Sequence, residues 1–292
     1  MSSRRKLEAS SRSTNASTWD RVADWYDRLV GDEGSDYHRN VILPAALELL
    51  AVKKGERVLD VCCGQGVFAR ALVEAGAGEV VGVDASAKLI AAAKARAGAS
   101  SRCRFLVGDV RRLAEVLGAS HPGARPANTG HARPPDPPRL FDSAACLMAV
   151  QDLEDVRAGF DGVASCLKPN GRLVVILMHP CFRIPRQSSW SWDEEHKIQY
   201  RRVDRYLTPM TIPIAIAPRG GERTQTPFFH RPLSQILNAL GEAGLPIVRC
   251  EEIVSHHSVQ PGGRSRGENR SFREFPIFLA LLCRKSASPD HA

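Results

Sequence analysis

No apolar run in this 292-residue chain reaches the ~18 residues that a membrane-crossing helix needs, so no transmembrane span is expected. The start of the chain lacks the apolar core of a secretory signal. Residues 1–18 are Ser- and Arg-rich and predict a disordered tail. None of the eight cysteines (62, 63, 103, 146, 166, 181, 250 and 283) forms a C-x-x-C pair, and most lie in or beside apolar runs. That pattern fits reduced, buried thiols in a cytoplasmic protein better than a disulfide framework. His179, His230, His256 and His257 lack ligand-like spacing, so no metal site is expected.

What is present is an ordinary soluble composition: 43% hydrophobic and 25% charged residues. A chain this long buries roughly 75% of its unfolded surface and folds without staples. Lys and Arg number 40 against 32 Asp and Glu, a net charge of +8. An anionic partner is one reading of this excess. Because the excess is spread along the chain, solvated Arg-rich loops are the other.

Helical spacing of Trp19, Val22, Trp25/Tyr26 and Leu29, then of Val41 to Leu50, predicts an N-terminal helical cap over 19–50. A main domain over 51–285 follows. Val58–Cys62, Val80–Asp84, Cys103–Val107, Phe141–Val150 and Leu173–Met178 read as strands alternating with helices. This rhythm predicts an α/β fold, a doubly wound parallel sheet with helices on both faces. Ser86 is placed to cap the helix after the second strand. Two stretches break the rhythm. Residues 118–139 hold six prolines and predict a disordered insertion; residues 179–230, rich in Trp, Arg and Pro, predict a lid over a substrate. Pro232–Gly244 reads as a helix, Ile247–Ile253 and Ile277–Cys283 as strands, 255–273 as a polar basic link, and 286–292 as a frayed tail.

Gly64-Gln65-Gly66-Val67-Phe68-Ala69 satisfies G-x-G-x-x-A between a strand and a helix, with Asp84 twenty residues on. That is the dinucleotide fingerprint. Asp60, at the end of the first strand, argues against a nicotinamide dinucleotide. A carboxylate there repels a pyrophosphate and attracts a cation, and unit charges ~4 Å apart exchange about 4 kcal/mol at an effective dielectric near 20. Asp109, after the third strand, adds an acid at the same sheet edge. Three acids at successive strand ends suit a nucleoside bearing an amino acid, S-adenosylmethionine. Each has a plainer alternative: Asp60 holding the turn, Asp84 favoured by a helix dipole, Asp109 capping the next helix.

Val58-Leu59-Asp60-Val61-Cys62-Cys63-Gly64-Gln65-Gly66, Val80–Asp84, Gly108-Asp109, Phe141-Asp142 and Leu167-Lys168-Pro169-Asn170-Gly171-Arg172-Leu173, in this order, resemble class I S-adenosylmethionine-dependent methyltransferases from about residue 55 to 178. The resemblance implies a Rossmann-like, seven-stranded, mostly parallel sheet with an antiparallel last strand. It implies an enzyme that moves the donor's methyl in line to an O, N, S or C acceptor. Carried onto this chain, Asp60 holds the methionine ammonium, Gly64 and Gly66 the methionine part, Asp84 the ribose, and Asp109 with the Val110 backbone the adenine. Tyr26, in the cap, is placed to reach the donor's carboxylate or simply to pack. Cys62 stands where the family often has glycine, and Asn170 replaces a turn glycine; both turns are expected to survive.

On the acceptor side, Ala149-Val150-Gln151-Asp152 is not the Asn/Asp-Pro-Pro-Tyr/Phe motif of base and glutamine N-methyltransferases. Gln151, Asp152, Arg183, Trp190 and Trp192 are candidate substrate contacts. His179 ends the fifth strand and is a candidate base or a structural turn residue. The phrases His179–Trp192 and His230-Arg231-Pro232-Leu233-Ser234 resemble an uncharacterised bacterial subgroup of type-11-like methyltransferases. The expected acceptor is a small molecule, with no membrane partner; the residues specify no oligomeric state. RNA is the alternative acceptor, supported by the basic and aromatic residues of 188–206. A catalytically silent donor-binding subunit is the alternative from another class.

Overall fold

The computed structural model describes residues 17–98, 102–119, 140–216 and 224–287. Most of the expected N-terminal tail, nearly all of the 118–139 insertion and the last five residues lie outside them.

The first five strands are β1 (Arg57–Val61), β2 (Glu79–Asp84), β3 (Cys103–Val107), β4 (Phe141–Leu147) and β5 (Leu167–Met178). β6 (Ser188–Asp193) pairs with β7 (Ile198–Val203), and β8 (Met210–Ile216) with β9 (Thr224–His230), as separate hairpins. β10 (Ile247–Ile253) and β11 (Phe278–Arg284) complete the main sheet, whose order is β3-β2-β1-β4-β5-β11-β10. β1 to β5 are parallel, and β11 runs antiparallel to both neighbours. The Rossmann-like, doubly wound sheet is therefore as the sequence predicts. The order reverses at β1/β4, where open α/β sheets hold ligands at the carboxyl ends of their strands.

Alternation along the strands supplies both faces. Leu59, Val61, Val81 and Val83 face one core, which also takes Phe160 and Leu240 from two covering helices. Val58, Val80, Val174 and Ile176 face the other, with Phe68, Leu72 and Ile90. The helices are α1 (Ala23–Val30), α2 (Leu43–Leu50), α3 (Val67–Glu74), α4 (Ala87–Ala97), α5 (Leu113–Ala119), α6 (Val156–Cys166), α7 (Leu233–Glu242) and α8 (Ser265–Glu274). Ser86 caps α4, accepting from the Leu89 N–H at 3.2 Å.

Several expectations need correction. Of the expected face, Val22 is buried but Leu29 is 52% exposed; Ala23 and Val30 complete the buried face of the cap. The register shifts because a 3-10 turn, Thr18–Arg21, precedes α1. Residues 255–273 are not merely a link. They contain α8, which buries only Gly267 and Ser271 and so leaves no apolar period to read. β5 begins at Leu167 rather than Leu173, because Phe141 pairs with Leu167 across a register shift. Cys62 and Asn170 take left-handed φ values of 56° and 62°, so both turns form without glycine.

Gly66 has no such latitude. Its φ is +78°, and a Cβ there would lie 2.8 Å from the Phe105 ring. Gly66→Ala is expected to lose about 2–4 kcal/mol from left-handed strain plus overpacking. Urea denaturation checks this; an unchanged midpoint would contradict the packing described.

Candidate functional site

The turn after β1 is built from left-handed backbone at Cys62, Gly64 and Gly66. Asp84, ending β2, stitches it shut. Its Oδ2 accepts from the Gly64 N–H at 2.9 Å and its Oδ1 from the Ser86 N–H at 2.8 Å. Asp60 is 2% exposed; it accepts from the Ala69 N–H in the first turn of α3, and its Oδ2 has no partner. Burial, then the charge of Asp84, pushes Asp60 up to about 8. Asp152, in the 3-10 turn after β4, is also pushed up to about 8, by burial first. Asp84 is raised by burial too, against the pull of its two backbone donors.

Tyr26 closes over this group. A Cβ on Gly64 would sit 3.3 Å from the Tyr26 ring, and the phenol is raised by burial and then by Asp84, Asp152 and Asp60. No basic side chain among the described residues offsets the three carboxylates. Buried charges are ordinarily paired, so this cluster has the character of a receptor for a cation.

The cap is fastened to the turn by residues that the sequence reading missed. Gln65 is buried and donates from Nε2 to the Gly31 carbonyl at 2.5 Å; Arg70 donates to the Gln65 and Asp32 carbonyls at 2.9 and 2.7 Å. Arg96 of α4 pairs with Asp27 at 2.7 Å and Asp32 at 2.9 Å. The Ser86 hydroxyl donates to Asp20 at 2.6 Å. No local pattern marks these contacts, because each joins residues more than 30 apart in the chain or sits inside the glycine motif.

Asp109 caps the turn Val110–Arg112, accepting from the Arg111 N–H at 2.9 Å and from its guanidinium at 2.5–3.0 Å. The Arg111 hydrogen bonds hold it below the usual carboxylate range. The Val110 side chain is buried, at 6% exposure.

His179 is 1% exposed, and both its ring nitrogens are engaged. Nδ1 accepts from the Cys181 N–H at 3.2 Å, which leaves Nε2–H to donate to Glu252 at 2.9 Å. Burial lowers its basicity. Gln151 donates to the Met148 carbonyl, while its buried Oε1 has no partner. It lines a small cavity of about 20 Å³ with Met178, Arg183, Phe228 and His230. Trp190 lines a second cavity, of about 270 Å³, which Arg183 also borders. Trp192 turns away from both: a Cβ on Gly267 of α8 would lie 2.8 Å from its ring, and Arg264 covers it at 5.0 Å. At the surface, Asp36 Oδ2 meets the Nε2 atoms of His256 and His257 at 3.0 and 3.1 Å, a grouping that spacing along the chain did not foreshadow.

The profile of a methyltransferase-domain family matches residues 35–210, which include the glycine turn, all three carboxylates and the cap helix α2. The chain belongs to this family. An S-adenosylmethionine-dependent methyltransferase from Mesorhizobium loti is 28% identical, with a TM-score of 0.58 over 83% of this chain and 95% of that one. Among curated relatives, a demethylmenaquinone methyltransferase of Tropheryma whipplei is 30% identical over 56% of this chain and 58% of its own length. A 23S rRNA (uracil(1939)-C(5))-methyltransferase of Nitrosococcus oceani is 38% identical over 41% of this chain and 25% of its own length. The chain thus spans less than two thirds of the length of these curated relatives. The family's donor, S-adenosylmethionine, carries a sulfonium and an ammonium. The residues fit that group: Asp60 keeps a buried oxygen with no partner among the described residues, and no basic side chain among them competes for it. No described helix is long and apolar enough to cross a membrane.

Proposed function

We propose that this chain transfers a methyl group from S-adenosylmethionine to a small-molecule acceptor. The observation that carries the reading is the buried, cation-free cluster of Asp60, Asp84 and Asp152 under Tyr26. Bound S-adenosylmethionine supplies an electrophilic methyl on a sulfonium. Asp60 takes its ammonium, Gly64 and Gly66 its methionine backbone, Asp84 its ribose hydroxyls, and Asp109 with Val110 its adenine. Asp109 does so while held by Arg111. Tyr26 and α1 cover the site and exclude water, with residues 19–50 as cap and 179–230 as lid. The chain's contribution is positioning, which supplies roughly 7–11 kcal/mol in well-oriented systems. His179 has no free nitrogen for an acceptor proton and acts as a strut between β5 and β10. We place the reaction in the cytoplasm, consistent with the free cysteines.

RNA is disfavoured as acceptor because the Trp190 and Trp192 rings pack onto Phe275 and α8 rather than standing free for base stacking. Titration calorimetry with S-adenosylhomocysteine and with NAD tests the donor, and methyl-labelled donor incubated with fractionated extract tests the acceptor. Homocysteine-nucleoside binding, no NAD binding and label in a small-molecule fraction are expected. NAD binding alone would overturn the reading. Donor binding with label in no fraction would favour a silent subunit.

A further inference from the structure

Arg183 and Arg201 share one cavity of about 270 Å³, walled by Phe182, Trp190 and Phe275. Arg201 donates Nε and Nη2 to the Phe182 carbonyl at 2.9 and 2.7 Å and Nη2 to the Ser188 hydroxyl at 2.9 Å, and its guanidinium lies 4.8 Å from the Trp190 ring centre. Its Nη1 has no partner among the described residues. Arg183 makes no hydrogen bond or ion pair among them, although it is half-buried. Among the described residues no carboxylate bears on either guanidinium: Arg183 meets burial, opposed by the Tyr37 phenol, and Arg201 meets burial and then the charge of Arg183. Two like charges held together in a partly desolvated, aromatic-walled space are unfavourable unless an anion joins them.

Arg183 also lines the neighbouring small cavity, together with Gln151. Gln151 hydrogen-bonds Asp152 at 3.4 Å, and Asp152 belongs to the donor cluster. Gln151, whose buried Oε1 is unpartnered among the described residues, thus lines the small cavity beside Arg183 and touches the acid cluster through Asp152.

We infer that the Arg183–Arg201 cavity holds an oxyanion of the methyl acceptor, so that the acceptor is a small organic acid with an apolar or aromatic body. Planar guanidinium forks suit a carboxylate or phosphate bidentately, and the three rings suit the body that carries it. A naphthoquinone ring offers no ionised group to this pair. The inference rests on the proposed methyl transfer for its substrate role, but the cavity can be tested separately.

The full chain, saturated with S-adenosylhomocysteine, is titrated with benzoate, phenyl phosphate and neutral benzamide. At least one anion is expected to bind about tenfold or more tightly than benzamide, and the stronger of the two identifies carboxylate or phosphate as the preferred group. Arg183→Met, which breaks no hydrogen bond within the fold, is expected to cost that anion about tenfold or more and to leave homocysteine-nucleoside affinity unchanged. Arg202→Met, on an exposed neighbour, is expected to alter neither. Equal binding of all three probes, or full anion affinity in Arg183→Met, overturns the inference. If the homocysteine nucleoside itself fails to bind, the donor reading falls, and the same anion titrations on the free chain still decide the cavity.

Discussion

Asp60→Asn is expected to abolish most donor affinity while making the free protein more stable at alkaline pH. The two effects share one cause. Asp60 titrates near 8 in the fold against about 3.9 in an unfolded chain. Between those values the folded chain holds a proton that the unfolded chain releases, so this residue's favourable contribution is complete below about pH 4 and lost as pH rises through 8. Asparagine removes the dependence. Its melting temperature should exceed wild type at pH 8.5 and match it only at about pH 4 and below. In the proposed site, donor binding needs the opposite state, an ionised Asp60 against an ammonium. Wild-type affinity for S-adenosylhomocysteine should therefore climb by up to about tenfold per pH unit below 8 and then level. In Asp60→Asn the climb should flatten, with affinity lowered by about 10–150-fold at pH 8.5, the worth of a charge-assisted hydrogen bond. Calorimetry at pH 6.5 and 8.5 measures this, and wild-type affinity in the variant would remove Asp60 from the site.

Asp84→Ala is expected to cost both binding and stability. Its carboxylate satisfies the N–H groups of Gly64 and Ser86, so alanine orphans both and frees the turn that shapes the donor's seat. Some repulsion with Tyr26 and Asp60 is relieved, but two unsatisfied backbone donors outweigh it. A net loss of about 1–3 kcal/mol is expected in urea denaturation, with S-adenosylhomocysteine affinity reduced about 100-fold through loss of the proposed ribose contact as well. An affinity within a factor of three of wild type would show that Asp84 serves only the turn.

The contrast between these two acids shows where reading a sequence succeeds and stops. Both were visible as strand-end carboxylates at the expected distance from Gly64, because strand length and turn length are local quantities. Their different states were not. Asp84 is neutralised in part by two backbone donors, while Asp60 is sealed under α3 with one oxygen unused, and only packing distinguishes them. Asp109 likewise had two readings, and the Arg111 fork supplies the one that any adenine contact must accommodate. Trp190 and Trp192, two residues apart on one strand, invited a single role. β6 sends both towards α8, an element too polar to announce itself, and only Trp190 reaches a cavity.

What the residues alone determined is the doubly wound sheet, its glycine turn and the line of acids along its carboxyl edge, since alternation, turn chemistry and spacing are written locally. Tertiary structure decided which acids are buried without a cation, that Gln65, Arg70 and Arg96 clamp the cap over them, and that Arg183 and Arg201 face one space. Those outcomes depend on contacts between distant segments, where burial and missing partners set the charge state, and neither quantity exists until the chain has folded.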